Sequence, residues 1–331
     1  MSQCKEITFT GPFAPMCRTH IDQKIALGMS SNTEARILKR FDEFSKTFLV
    51  ENFCITEELA LAWSKQRPNE SEATRLSRIG VMQRFAAFLV RQGHQSFMLP
   101  FSMRKPRMHT PYIFTKDELH RIFIRLGSME PSPMSPLMHL SMPLLFKTLY
   151  GCGLRISEAL ALQFHDVDLH QGVIHVRHGK NENERLVPIS TSLLCLCKKY
   201  VNNVPANRRG GTFFHTKKQQ PYERTGVGNR FRAILWDAGI SYRGRNVGPR
   251  VHDLRHTFVC HRLKSWADED QDIGSLLPIL SKYLGHNSIA GTEWYLKLTA
   301  EAYPQITEKM QIATGHIFPD ITGIHYGGDN E

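Results

Sequence analysis

Long hydrophobic runs are missing from this sequence: nowhere do 18 apolar residues follow one another, which excludes a membrane-spanning helix. The first residues, MSQCKEITFTGPFAP, lack the basic-then-apolar order of a secretory signal peptide. The seven cysteines are an odd number spread over 331 residues, which favours reduced thiols over a disulfide framework. These absences predict a cytoplasmic protein. Hydrophobic residues at 41% and charged residues at 22% indicate globular domains, and the length indicates two of them.

Acidic side chains are scarce in one stretch of the chain. Residues 208–264 contain 13 basic and 3 acidic side chains, a net charge of +10, whereas residues 265–331 contain 3 and 10, a net charge of −7. A solvated basic face is the simplest interpretation of the first stretch. The more specific interpretation is a binding site for a polyanion, and nucleic acid is the commonest polyanion.

Helical periodicity begins at residue 31. Three pairs have the spacing of capping boxes, in which each side chain satisfies a backbone N–H at a helix start: Ser31 with Glu34, Asn69 with Glu72, and Thr115 with Glu118. Apolar and aromatic residues recur at helical spacing after the first two pairs and predict a helical bundle. The predicted organisation is an irregular arm over 1–30, a helical domain over 31–99, a linker over 100–111, a second domain over 112–313 and a flexible tail over 314–331.

The predicted linker, PFSMRKPRMHTP, contains three prolines. Its basic residues Arg104, Lys105 and Arg107 are predicted to contact phosphates. In the second domain the period changes to two over 173–176 and 185–189, which predicts paired strands around a turn. Helical patterns then resume, and the last predicted helix covers 299–313.

Four segments of the second domain carry residues suited to phosphate chemistry: Gly153-Leu154-Arg155-Ile156-Ser157-Glu158, the hairpin residue Lys180, His252-Asp253-Leu254-Arg255, and Leu284-Gly285-His286 followed by Tyr295. Each segment alone has an ordinary structural interpretation, such as a surface ion pair or a helix cap. The four together, in this order, resemble the tyrosine recombinase (phage integrase) family. The chain matches its arginine box, its hairpin lysine before Glu184-Arg185-Leu186-Val187-Pro188, its H-x-L-R-H-T box, its L-G-H box and its nucleophilic tyrosine.

This resemblance implies a mostly α fold with a small β-hairpin or sheet: an N-terminal helical core-binding domain and an α+β catalytic domain. It implies cutting and rejoining of duplex DNA through a 3′-phosphotyrosine, without ATP, metal or cofactor. The catalytic set implied is Arg155, Lys180, His252, Arg255, His286 and Tyr295. Glu158 and Asp253 are expected to orient basic groups.

The chemistry gives each group a task. Two guanidinium groups, Arg155 and Arg255, suit the non-bridging oxygens of a phosphodiester. Tyrosine needs help to lose its proton, and His252 is predicted to take it. Lys180 is predicted to protonate the leaving 5′-oxygen, and His286 to hydrogen-bond a phosphate oxygen.

The partners implied are duplex DNA at specific sites, a homo-tetramer on paired sites, and accessory recombinases or DNA-bending proteins, with no membrane. The protein is expected at the nucleoid. Arg243, Arg245 and Arg250 in the basic stretch are predicted DNA contacts.

Two alternatives remain open at this stage. A regulator of the same fold would bind DNA without cutting it. A zinc hydrolase would use His252 and His256, which have the spacing of an H-E-x-x-H helix with Asp in place of Glu. Arg255 between these histidines would place a fixed cation beside the metal and counts against the second alternative.

Overall fold

The computed structural model describes residues 7–29, 31–100, 110–177, 184–242, 244, 248–286 and 290–303. The chain divides into two compact units, Met1–Met108 and His109–Glu331. The described residues are mostly helical with one small antiparallel sheet, which confirms the predicted fold class. Within these ranges no helix is long and apolar enough to span a membrane.

The first unit contains four described helices: α1 (Ala14–Ala26), α2 (Asn32–Ser45), α3 (Glu57–Ser64) and α4 (Glu72–Arg91). They enclose an aromatic core in which Phe13, Phe41, Trp63 and Phe85 are at most 1% exposed. The rings of Phe41 and Trp63 meet edge to face with centroids 5.2 Å apart. Such contacts add to the free energy gained by burying large apolar surfaces.

The prediction of an irregular arm over 1–30 is wrong, because α1 lies inside that range and packs against α2 and α4. Phe13 and Cys17 are fully buried. The buried Asp42 carboxylate accepts the backbone N–H groups of Thr10, Gly11 and Phe13, which anchors the chain just before the helix. Apolar and polar residues are mixed around α1, so the helix has no clear amphipathic periodicity in the sequence, and contacts with α2 and α4 stabilise it.

One of the three predicted capping boxes is present as predicted. The Thr115 hydroxyl accepts the Glu118 N–H, and the Glu118 carboxylate accepts the Thr115 N–H. The second box is wrong: α4 is capped by the Ser71 hydroxyl, which accepts the Thr74 N–H, while Asn69 lies in a turn with φ +60°.

The first predicted box is also wrong, although α2 does begin beside Ser31. The Ser31 side chain makes no capping hydrogen bond. The Glu34 carboxylate instead contacts His20 Nε2 at 3.1 Å and accepts from Lys24 Nζ at 2.6 Å, both on α1. Glu34, which was expected to cap the start of α2, therefore links α2 to α1.

The second unit contains eight described helices: α5 (Lys116–Gly127), α6 (Met138–Gly151), α7 (Ile156–Ala161), α8 (Thr191–Asn203), α9 (Arg224–Asp237), α10 (Asp253–Asp268), α11 (Ile273–Leu284) and α12 (Ala290–Ala302). Its sheet has the strands β1 (Val167–Asp168), β2 (Val173–Val176) and β3 (Arg185–Pro188). They pair antiparallel in the order β1-β2-β3, so the predicted pairing of the two longer strands is confirmed.

Helices α10, α11 and α12 share a core that includes Val259, Leu277 and Leu296. The predicted helix over 299–313 is wrong at its start, because α12 begins at Ala290 and contains Tyr295; residues from 304 lie outside the described chain. Gly291 weakens the intrinsic helix propensity of the first turn, so packing against α10 and α11 stabilises the helix instead.

Candidate active site

Arg155 stands at the start of α7, immediately after a tight turn. Gly153 has φ +60°, and a Cβ there would lie 2.6 Å from the Phe258 ring, so the turn requires glycine. The Arg155 Nη1 donates to Glu158 Oε1 at 2.7 Å, and its Nη2 donates to the Gly285 carbonyl at 3.3 Å. Arg155 is thereby fixed to both the start of α7 and the end of α11.

Arg255, on the first turn of α10, is 2% exposed and donates to two backbone carbonyls. Its Nη1 reaches the Gly153 carbonyl at 2.6 Å and its Nη2 reaches the Leu284 carbonyl at 2.7 Å. Burial and the neighbouring Arg155 lower the pKa of Arg255 to about 10, so the side chain stays charged at neutral pH. The structure brings the two predicted arginines together at one site.

Glu158 is the buried anion of this cluster, with 2% exposure. Besides Arg155, its carboxylate accepts two hydrogen bonds from Arg185, at 2.8 and 3.3 Å, and lies 4.0 Å from Arg255. Burial alone would raise the pKa of Glu158, but the bonds from Arg185 and Arg155 hold it below its usual range. Three guanidinium groups around one carboxylate leave an excess of positive charge, which suits an incoming phosphate.

His286 lies directly after α11, whose last residue is followed by Gly285 in the left-handed conformation at φ +68°. Arg255 has only donors, so His286 Nε2, 3.0 Å from Arg255 Nη2, acts as the acceptor. The other ring nitrogen, Nδ1, lies 2.8 Å from Thr292 Oγ1 and donates to it in this tautomer. Burial and the nearby Arg255 and Arg155 lower the pKa of His286 to about 4, which keeps the ring neutral.

Tyr295 is 3% exposed and its ring stacks on His286, with centroids 6.1 Å apart and planes 6° from parallel. Its hydroxyl oxygen lies 2.8 Å from His256 Nδ1. Burial raises the pKa of Tyr295 to about 12, although Arg255 acts in the opposite direction. The nucleophile that the sequence predicts is therefore inside the cluster of basic side chains.

His252 was predicted to take the tyrosine proton, but the histidine in contact with that hydroxyl is His256, one helical turn later. His252 is an exposed residue whose ring meets the His256 ring edge to face, with centroids 4.6 Å apart. Partial desolvation and the charges of Arg255 and Arg155 lower the pKa of His252 to about 4.

Of the remaining predicted residues, the structure describes Asp253 and Arg250. Asp253 is 1% exposed and accepts the backbone N–H of Arg250 at 2.8 Å, while the Arg250 side chain is exposed. The predicted residues that lie outside the described chain are Lys180, Arg104, Lys105, Arg107, Arg243 and Arg245.

Two residues of the site were not predicted. Arg185 occurs in the hairpin motif, but nothing in the sequence shows that it reaches across to Glu158 and to the Tyr283 carbonyl, 2.7 Å from its Nε. His256 was considered only as a zinc ligand. The four-residue spacing between His252 and His256 predicts that both rings lie on one face of a helix. That spacing was the signal in the sequence for a second histidine at the site.

A zinc site at His252 and His256 has no further support in the geometry. In the part of the chain that the structure describes, no three His, Cys, Asp or Glu side chains are close enough together to hold a metal ion. His261, one turn further along α10, contacts the Tyr150 hydroxyl through Nδ1 at 2.9 Å.

The chain is similar to known proteins of one family. The model of the phage integrase family matches residues 114–302. Among curated proteins, the integrase/recombinase-type protein y4rB of Sinorhizobium fredii is 31% identical over 319 residues, covering 90% of this chain and 97% of y4rB. The tyrosine recombinase XerD of Oceanobacillus iheyensis is 24% identical and covers 83% of this chain and 91% of the relative.

Among solved structures, the Tn1549 transposon integrase in complex with transposon right end DNA is similar in fold, with a TM-score of 0.64 at 14% identity. It covers 91% of this chain and 99% of that one. XerH recombinase bound to its difH substrate, in a post-cleavage complex, has a TM-score of 0.59 at 20% identity and covers 85% of this chain and 79% of that one. With the family model matching more than half of its length, the chain belongs to the phage integrase family of tyrosine recombinases.

Proposed function

We propose that this protein cuts and rejoins duplex DNA at specific sites, with Tyr295 as the nucleophile and a 3′-phosphotyrosine as the intermediate. The observation that carries the proposal is the position of the Tyr295 ring between His286 and His256, beside Arg255 and within the arginine cluster. A phenol buried among guanidinium groups is suited to attack a phosphodiester, whose negative charge would otherwise repel it.

The two arginines share one task in the proposed reaction and are held in place by different groups. Arg255, held by two carbonyls, and Arg155, held by Glu158, donate to the non-bridging oxygens and stabilise the charge of the pentacoordinate transition state. Because backbone carbonyls and a buried carboxylate fix both side chains, little reorganisation is needed when DNA arrives. Neutral His286 hydrogen-bonds a phosphate oxygen.

Rejoining follows from the same chemistry in reverse. Attack by Tyr295 breaks the bond between phosphorus and the 5′-oxygen, and Lys180 protonates that oxygen as it leaves. The phosphotyrosine retains the energy of the broken ester, so a 5′-hydroxyl from another strand attacks it without ATP.

The proposed partner is duplex DNA held by both units. Each of the two compact units, Met1–Met108 and His109–Glu331, would contact the DNA. Phosphate contacts are assigned to six basic residues: Arg104, Lys105, Arg107, Arg243, Arg245 and Arg250. A homo-tetramer on paired sites, with accessory recombinases or DNA-bending proteins and a location at the nucleoid, completes the proposal.

The test is the capture of a covalent protein–DNA adduct. Duplex fragments that tile the DNA flanking the coding sequence are nicked close to each position, so that the released strand diffuses away and rejoining is blocked. The protein is incubated with the pool, denatured in detergent, and the attached DNA is sequenced. We expect one family of attached sequences, with the protein joined to the 3′ end of the cut strand. Tight binding without any adduct would indicate a non-cleaving regulator and overturn the proposal.

A further inference from the structure

His256 is a second histidine on the reacting face of α10. Its ring is half-buried, and it lies between His252, with centroids 4.6 Å apart, and Trp294, with centroids 5.6 Å apart. The Nδ1 atom is 2.8 Å from the Tyr295 hydroxyl oxygen. This distance is that of a hydrogen bond to the atom that would attack phosphorus.

The direction of this hydrogen bond decides whether His256 can accept a proton. A phenol hydroxyl can donate or accept, and a neutral histidine ring has one donor nitrogen and one acceptor nitrogen. Burial raises the pKa of Tyr295, but the charge of Arg255 acts to lower that pKa and so favours negative charge on the phenol oxygen. This favours the arrangement in which the hydroxyl proton points to an unprotonated His256 Nδ1, while Nε2 carries the ring proton.

We propose that His256, rather than His252, is the general base that accepts the phenol proton of Tyr295 during strand cleavage. The proposal rests on the function proposed above. In the step, the Tyr295 O–H bond breaks and its proton passes to His256 Nδ1, giving an imidazolium. The oxygen forms a bond to phosphorus, the bond from phosphorus to the 5′-oxygen breaks, and the Lys180 ammonium supplies the proton to that oxygen. On rejoining, the imidazolium returns its proton to the tyrosine oxygen.

The surroundings of the two histidines support this division of roles. A base must be within hydrogen-bond reach of the proton that it removes. His256 satisfies that condition, whereas His252, just before α10, contacts the His256 ring rather than the hydroxyl. The negative phosphate that enters with DNA balances the imidazolium charge that forms beside Arg255. His252, in edge-to-face contact with His256 and open to solvent, is placed to stabilise the orientation of the His256 ring.

The first experiment needs no DNA. In protein labelled with ¹⁵N-histidine, long-range ¹⁵N–¹H correlations report which ring nitrogen carries the proton. We expect the His256 signals, assigned with the His256→Gln variant, to show an unprotonated Nδ1 and a protonated Nε2 at pH 7. A protonated Nδ1 would make histidine the donor and overturn the proposal, whatever reaction the protein performs.

The second experiment measures single-turnover cleavage of the nicked duplex identified by adduct capture. His256→Ala should slow cleavage by about 10²- to 10⁴-fold, whereas the matched variant His252→Ala should have a much smaller effect. The same comparison is then made with a fluorinated tyrosine at position 295, whose phenol is more acidic. Since that phenol needs less help to ionise, the ratio of unmutated to His256→Ala rates should shrink by at least about tenfold.

A purely structural role for His256 predicts the same rate ratio with either tyrosine, and that result would overturn the proposal. The proposal would also be overturned if the fluorinated tyrosine reduced the defect of His252→Ala and left the defect of His256→Ala unchanged. The function proposed above would fail in a different way, because the unmutated protein would then form no adduct. The NMR experiment tests the direction of the hydrogen bond independently of that function.

Discussion

Arg185 and Glu158 form a buried ion pair that joins the first residue of β3 to the first turn of α7. The two side chains are 7% and 1% exposed, and two hydrogen bonds connect them. Arg185 also donates to the Tyr283 carbonyl, and a Cβ on Gly285 would lie 2.8 Å from its Nη1. The Arg185–Glu158 pair therefore connects β3, the end of α11 and Arg155, the first of the two proposed catalytic arginines.

Replacing Arg185 by methionine should be strongly destabilising. Removing one member of a buried ion pair leaves the other charge without full compensation and costs about 3–5 kcal/mol of stability. Because Glu158 keeps its hydrogen bond from Arg155, we expect the lower end of that range. Urea unfolding measures the change. The control is Asp268→Asn, which removes an exposed ion pair with Lys264 and should cost no more than about 1 kcal/mol. Equal stability of the two variants would contradict the assigned importance of the buried pair.

Glu70 makes the stability of the first unit depend on pH. Hydrogen bonds from Arg78 lower the pKa of Glu70 from 4.5 to about 2. A carboxylate whose pKa is depressed by folding stabilises the fold above its unfolded pKa, and this contribution is lost as pH falls through the folded pKa. Glu70→Gln should therefore be less stable than the unmutated protein at pH 7, and the difference should shrink between about pH 5 and pH 2. A difference that is independent of pH would contradict the ionic role.

Lys180 is predicted to act as an acid and not only as a phosphate contact. A substrate with sulfur in place of the bridging 5′-oxygen has a better leaving group and scarcely needs a proton. Lys180→Ala should cut ordinary DNA about 10²- to 10⁴-fold more slowly, yet cut the sulfur-bridged DNA almost normally. Arg155→Ala should be slow on both substrates, because it acts on the non-bridging oxygens. Equal defects of Lys180→Ala on both substrates would leave the lysine with a binding role only.

Affinity for duplex DNA should fall steeply with salt. Each phosphate neutralised contributes a slope of about −0.9 to the plot of log affinity against log salt concentration. The 13 basic side chains of residues 208–264 lead us to expect a slope steeper than about −4. Arg250→Gln, at an exposed position, should make the slope shallower by about one contact. A slope near zero would contradict a phosphate-binding role for this stretch.

Residues of the site that stand in short sequence motifs could be identified from the sequence. Arg155 comes two residues after Gly153, whose left-handed conformation requires glycine, and Arg255 and His286 also stand in short motifs. The strands over 173–176 and 185–188 were visible from alternation alone, because one face of the sheet is buried. These features depend on neighbours in the sequence or on a pattern that the family shares.

The features that were missed depend on distant parts of the chain. The first helix mixes apolar and polar residues around its axis, and Asp42 of α2 anchors the chain just before it. His256 meets Tyr295 only because α12 packs against α10, and Arg185 meets Glu158 only because β3 passes the start of α7. Contacts of this kind between separate elements have no local pattern from which to predict them.

The most direct test of the central claim is the identity of the residue that becomes attached to DNA. The unmutated protein is trapped on its nicked duplex, digested, and the nucleotide-bearing peptide is sequenced by mass spectrometry. We expect attachment at Tyr295, complete loss of the adduct in Tyr295→Phe with folding and DNA binding retained, and full adduct in the matched variant Tyr283→Phe. Tyr283 is a half-buried tyrosine on α11, whose backbone carbonyl contacts Arg185 of the same site. An adduct that survives Tyr295→Phe and disappears with Tyr283→Phe would contradict the assignment.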